Sequence, residues 1–247
     1  MCIPRVRLPV TISSNQLPIL LRFFARGLHY RHIVSVFLLS PARSDGRRAK
    51  MLLNPRATFS LAVRLREPDG AEIGEVFSFL SKLYFRGKLT YAREFASAAD
   101  GVPPILVITA DRGLVPPDAR LRRDDLEQFC QVDISSGDER YLAPLRRDAN
   151  AVAAKLPSDA SVVLLGSIAT GKYVDALLDV FGERLLFPSD FVGRGDMSRG
   201  GLMLRAARSG EELSYVPVLG AVRRGKRPPK LAPLRWAGKK FPAKGRR

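Results

Sequence analysis

Several short segments of this chain carry residue types and spacings that could do chemistry. Gly166-Ser167-Ile168-Ala169-Thr170-Gly171-Lys172 follows an apolar run and precedes a helical one, one residue short of a phosphate-binding loop. Backbone N–H groups at such a turn can cradle an anion, with Gly166 and Lys172 as contacts. Tyr173 stands where Ser or Thr would ligate Mg²⁺, and a phenol is too long for that role. Downstream, residues 188–201 (PSDFVGRGDMSRGG) combine four glycines with Arg194 and Arg199, whose guanidinium forks suit phosphate, and with Ser189. The same residues also fit a helix entry, with Asp196 or Ser198 as N-cap and Arg194 paired to Asp196.

General acid or base work would fall to carboxylates in turns after strands: Asp111, Asp190 and Asp196. Asp111 equally fits a turn cap or a pair with Arg112. The histidines, His29 and His32, both lie in the first 32 residues, so the body offers no nucleophile–His pair and no Cys/His zinc site. Cys2 and Cys130 share no motif spacing, which suggests a reduced, cytoplasmic setting with Cys130 a small core residue. No metal or cofactor is expected. Tyr84-Phe85-Arg86-Gly87-Lys88 places aromatics and cations together. It fits a helix end with a cationic last turn, or a phosphate or base contact through Arg86 and Lys88.

These residues need elements to position them. Ile33–Leu39, Ile105–Thr109 and Ser161–Leu165 are short apolar runs suited to strands buried on both faces. A further strand is expected at Arg184–Phe187, and an edge strand at Leu213–Val222, where Pro217 limits pairing. Helical patterning covers Arg47–Leu53, Pro55–Leu65, Leu121–Cys130, Tyr141–Leu156, Lys172–Val180 and Gly201–Arg208. Ala71–Ser97 reads as one or two helices broken near Gly87. Strands alternating with helices predict an α/β protein: three α/β/α layers around a mostly parallel sheet, with ligands at its carboxyl edge.

The formal net charge is +17, and its location matters more than its size. Six arginines and no acid precede Asp45, and eleven Lys and Arg with no acid run from Arg223 to the end. Those two segments account for the whole excess, so the body between them is neutral. The expected organisation is a basic extension (1–32), one α/β domain (33–222) and a basic, Pro- and Gly-rich disordered tail (223–247). The extension has the look of an organellar transit peptide, or of a dispensable leader. It is too short and too charged for a membrane span, so no membrane role is expected. Two basic arms favour polyanions through counterion release.

The order of these pieces resembles a group of uncharacterised bacterial and phage domains related to the uracil-DNA glycosylase-like superfamily. The likeness rests on a first strand ending in Ser40-Pro41, on Leu83-Tyr84-Phe85 leading to Tyr91-Ala92, and on Ile108 to Leu114 (ITADRGL). It continues through Val162–Gly166 to Tyr173-Val174 and into Pro188-Ser189. The resemblance implies a pocket at the strands' carboxyl ends, with Ser40-Pro41 where glycosylases place the water-activating segment. Phe187-Pro188-Ser189 falls where they place the loop that enters the minor groove.

Together these readings give a protein that acts on or binds nucleic acid, DNA in preference to RNA. If it is an enzyme, the expectation is N-glycosidic chemistry with Asp111, Asp190 and Ser40 as catalytic residues. Gly166, Lys172, Arg86, Lys88, Arg194, Arg199 and Ser189 would contact phosphate, and Pro41, Tyr84, Tyr173 and Asp196 would complete the pocket. The alternatives are a non-catalytic DNA- or RNA-binding protein, and a nucleotide-binding enzyme using Gly166–Lys172.

Overall fold

The computed structural model describes residues 35–97, 99–134 and 137–232. The expected basic extension, the first two residues of the first strand, and the tail beyond residue 232 lie outside the described residues.

Four short, almost wholly apolar runs form the parallel core of a six-stranded sheet. They are β1 (Ser35–Leu39), β3 (Ile105–Ile108), β6 (Ser161–Leu165) and β7 (Leu185–Pro188). Val36 to Leu39 and Val162 to Leu165 are all fully buried, as strands covered on both faces require. The sheet order is β4-β3-β1-β6-β7-β8, with β1 parallel to both β3 and β6 and with β6 parallel to β7. Leu114–Val115 (β4) and Tyr215–Pro217 (β8) close the two edges antiparallel. Pro217 sits on that exposed edge, where a missing N–H is tolerated. A separate two-stranded ribbon pairs Ala71–Glu72 (β2) with Arg120–Leu121 (β5).

Among the described residues, eight α-helices complete the layers: α1 (Arg47–Leu53), α2 (Ser60–Arg66), α3 (Ile73–Ser81), α4 (Leu83–Phe95), α5 (Arg123–Phe129), α6 (Glu139–Lys155), α7 (Val174–Phe181) and α8 (Asp196–Ser209). Helix α4 packs on β1 and along α8, whereas α6 packs on α7 and β4, and α7 on β7. From β1 the chain crosses to β3 on one side, then returns past β1 to β6. Right-handed crossovers in opposite directions put α4 and α6 on opposite faces. The result is the expected α/β/α sandwich.

Several boundaries differ from expectation: the Pro55–Leu65 helix begins only at Ser60 and the Leu213–Val222 strand is confined to Tyr215–Pro217, and three further departures have clear physical reasons. The 71–97 segment breaks at Lys82 (φ 52°), not at Gly87. Gly87 lies inside α4 because a Cβ there would fall 2.7 Å from the Gly200 carbonyl oxygen. Tyr84–Lys88 is therefore the first half of a helix, not its cationic end. Helix α8 starts at Asp196 rather than Gly201, with Gly195 as N-cap. Gly200 is helical for the same reason as Gly87: its Cβ would meet the Leu83 carbonyl at 2.7 Å. Finally, the first ten residues of the basic tail, though largely exposed, touch the body at several points. Arg223 pairs with Asp175 at 3.0 Å, Arg194 Nη1 donates to Pro229 O, and Arg205 donates to Ala232 O. Gly193 (φ 72°) has no room for a side chain against the Lys226 carbonyl.

Candidate functional site

The parallel strands reverse their order of addition between β1 and β6, so the loops after these two strands diverge and leave a crevice. Ser40 follows β1 and Gly166 follows β6, directly across from each other. A Cβ on Gly166 would lie 2.8 Å from both Ser40 Cβ and the Tyr173 hydroxyl, so only glycine lets the two loops close to this distance. Above them opens a cleft of about 730 Å³, lined among others by Ser40, Pro41, Tyr84, Lys172, Tyr173 and Asp196. The buried rings of Phe77 and Phe129 back the cleft from the core, and Arg43 lies on the rim, ion-paired to Asp45 at 2.5 Å.

Beneath the cleft lies a buried polar chain. Helix α4 points Lys88 at the end of β1, and the side chain is 1% exposed. Its Nζ lies 2.6 Å from Ser40 Oγ and donates to the Ser40 carbonyl at 3.0 Å. The nitrogen sits 4.0 Å from the Tyr84 ring centroid. Among the described residues, no carboxylate lies within salt-bridge distance of it. Burial therefore lowers the Lys88 amine to about 7, with Asp196 opposing and Arg199 reinforcing the shift. Tyr173 donates to the Ser167 carbonyl at 2.8 Å, and its phenol is raised by burial. The Tyr84 hydroxyl is buried and meets no partner at hydrogen-bonding geometry among the described residues. Burial raises it strongly, Tyr173 adds to the rise, and nearby Arg199 partly opposes it.

The residues singled out in the sequence divide into three groups. Ser40, Pro41, Tyr84, Lys172, Tyr173 and Asp196 converge on the cleft, with Gly166 and Lys88 beneath it. Lys88 is sealed under Ser40, which corrects its expected contact with a polyanion; Arg86, two residues away, is exposed on the other side of α4 and outside the cleft. Arg199 is 9% exposed and spends its Nε on the Phe191 carbonyl and its Nη1 on Asp196 at 3.5 Å. It buttresses the α8 entry from inside.

The third group lies elsewhere. Asp190 is exposed in a 3₁₀ turn (Ser189–Phe191), and Ser189 donates to the Ser214 carbonyl. Arg194 is committed to carbonyls of Asp190 and Pro229. Asp111 sits at the tip of a tight β3–β4 hairpin, where Thr109 and Gly113 (φ 66°) close the turn. That hairpin carries it into a neighbouring cavity of about 690 Å³ with Gln128, Arg140 and Arg147. Both its carboxylate oxygens are buried without a hydrogen-bond partner, Arg112 Nε is 3.8 Å away, and burial raises its pKa. The pairing of two catalytic carboxylates with Ser40 thus fails on geometry.

The Gly166–Tyr173 turn also departs from a phosphate cradle. Helix α7 begins only at Val174, and the Asp175 carboxylate lies over Gly171, where an anion would have to approach. Lys172 faces the cleft instead. The part of this site that sequence reasoning misjudged is the depth of Lys88. The signal was present: Lys88 lies four residues after Tyr84 and three and four before Tyr91 and Ala92, all buried on one stripe of α4. No family model, curated protein or solved structure matches the chain, so the resemblance to glycosylase-like domains rests on its short motifs alone.

Proposed function

We propose that the protein binds nucleic acid, DNA in preference to RNA, and admits one nucleotide to the cleft between the β1 and β6 loops. The observation that carries this reading is where the basic tail is anchored. Its first residues dock on Asp175 and on the 192–194 turn. These anchor points are sequence neighbours of Lys172 and Asp196 on the cleft rim. The exposed cations of this docked stretch, Arg224, Lys226, Arg227 and Lys230, thereby offer phosphate contacts close to these anchor points. A volume near 730 Å³ accommodates a nucleotide, and Lys172 on its wall offers a cation to a phosphate.

N-glycosidic cleavage receives less support than binding, because neither Asp111 nor Asp190 reaches the cleft. The test is binding of fluorescein-labelled single-stranded and duplex DNA, followed by anisotropy across a salt series. Removal of residues 223–247 should weaken binding and flatten the salt slope, while Lys172→Ala should weaken single-strand binding more than duplex binding. Unchanged affinity and slope after truncation would reject the reading.

A further inference from the structure

The cleft floor holds a pair of groups that nucleic-acid binding does not use. Lys88 Nζ approaches Ser40 Oγ at 2.6 Å and the Ser40 carbonyl at 3.0 Å, in a pocket lacking any described carboxylate at ion-pair distance. A lysine that merely held the end of β1 would be a costly choice, since an unpaired ammonium in the interior costs several kcal/mol. Arg48 performs such a tethering task elsewhere, donating to the Phe79 carbonyl from a half-buried position. A neutral amine resolves the cost and changes the chemistry. One N–H still donates to the Ser40 carbonyl, and the lone pair accepts the Oγ–H. Ser40 itself, 5% exposed, meets the cleft at the carboxyl end of β1, and the bare Gly166 backbone opposite lets Tyr173 close on it.

We propose that Ser40 and Lys88 form a nucleophile–base pair for acyl transfer, with an ester or amide carbonyl as the substrate class. Ser40 Oγ bonds to the carbonyl carbon as its proton passes to Lys88 Nζ, and the carbonyl π pair moves onto oxygen. Collapse of that oxyanion breaks the bond to the leaving alcohol or amine, which takes the proton from Nζ. Water then attacks the acyl-Ser40 ester, Nζ accepting its proton. The acyl–Oγ bond breaks, and Oγ recovers its proton from Nζ. Water is the second substrate, and nothing is oxidised or reduced.

The charge sequence selects this class. Lys88 becomes cationic as the transition state forms, which favours a developing oxyanion and opposes an oxocarbenium ion. Tyr84 and Phe85 from α4, Tyr173 from the β6 loop, and Asp196 and Arg199 from α8 surround the pair. Of these, only Asp196 carries negative charge, and it is largely exposed. The inference concerns the floor of the cleft and not its recruitment by the tail, so the two readings fail separately.

The test uses the full-length protein and a fluorophosphonate serine probe, with the labelled peptide identified by mass spectrometry, alongside p-nitrophenyl acetate turnover. Wild-type protein should label at Ser40, and Ser40→Ala should lose both labelling and turnover. Lys88→Met and Lys88→Arg should each slow labelling about a hundredfold or more, the usual share of a general base. Arginine preserves the charge and hydrogen bonds of a structural lysine but cannot serve as a base, so rescue by Lys88→Arg would overturn the proposal. The wild-type labelling rate should also rise with pH to a plateau above about 7. This profile decides the matter even if both lysine variants misfold: a rate that is flat from pH 5 to 9, or no labelling of Ser40, would equally overturn it.

Discussion

Gly200→Ala and Gly201→Ala, made separately, should move stability in opposite directions. Both sites are interior to α8, where alanine is favoured over glycine by about 1 kcal/mol. At Gly201 the nearest atom to a new Cβ is the Leu231 Cδ1 methyl at 3.6 Å, an ordinary contact. That variant should keep most of the propensity gain. At Gly200 the Cβ would meet Leu83 O at 2.7 Å, with Leu83 C and Tyr84 Cα both at 2.9 Å. These are backbone atoms that no rotamer change removes, and they fall roughly 0.7 Å inside normal contact. Overpacking of that kind costs about 3 kcal/mol at the upper end of its usual range. Less the propensity gain, the net loss is about 2 kcal/mol. With a urea slope of about 2 kcal/mol per molar, the Gly200→Ala midpoint should fall by about 1 M. Urea unfolding followed by circular dichroism reads both variants. The same shift also presses on Tyr84 and hence on Lys88, so Gly200→Ala should impair any activity of Ser40. Equal midpoints, or a Gly200→Ala protein as stable as wild type, would refute the close helix crossing that sets Lys88 under the cleft.

Two further outcomes follow from buried charge. The Lys88 amine is lowered to about 7 in the folded chain against an ordinary 10.5, so the unfolded chain binds more protons between those values. Stability should therefore be lost as pH falls through that window, by up to about 1.4 kcal/mol per unit, and Lys88→Met should flatten the rise from pH 7 to 9 in denaturant midpoints. Above about 10 the buried tyrosines, raised by burial, act in the opposite sense. Asp111→Asn removes a buried carboxylate without hydrogen-bond partners. It should stabilise the protein by about 1 kcal/mol at pH 7, with a smaller gain at pH 4, and leave DNA binding intact. A loss of stability in urea titrations at pH 7 would show that the carboxylate is satisfied.

Much of the sheet was legible because strands buried on both faces write themselves as uninterrupted apolar runs. Ser161–Leu165 and Arg47–Leu53 fall where the pattern puts them. Of the pocket expected from Ser40, Asp111, Gly166, Lys172 and residues 188–199, the structure keeps Ser40, Lys172 and Asp196 on the cleft with Gly166 beneath it, and leaves Asp111, Asp190 and Arg194 outside. What the chain concealed was set by tertiary packing. Glycines at 193, 195, 200 and 201 read as a loop, yet two of them sit within α8, and Gly200 does so because only a bare backbone fits against Leu83. Lys88 reads as a surface cation by type, and only its place on the buried stripe of α4 betrays its depth. Asp111 looks like a site acid after a strand, but a two-residue edge strand turns it away from the cleft.

On the proposed reading, the crevice between the β1 and β6 loops is where the protein meets its ligand. Hydrogen–deuterium exchange of the full chain with and without a single-stranded DNA oligonucleotide tests it most directly. Slowed exchange over residues 40–45, 167–173 and 192–197 is the predicted result. Protection confined to the basic ends, with none at those three segments, would contradict it.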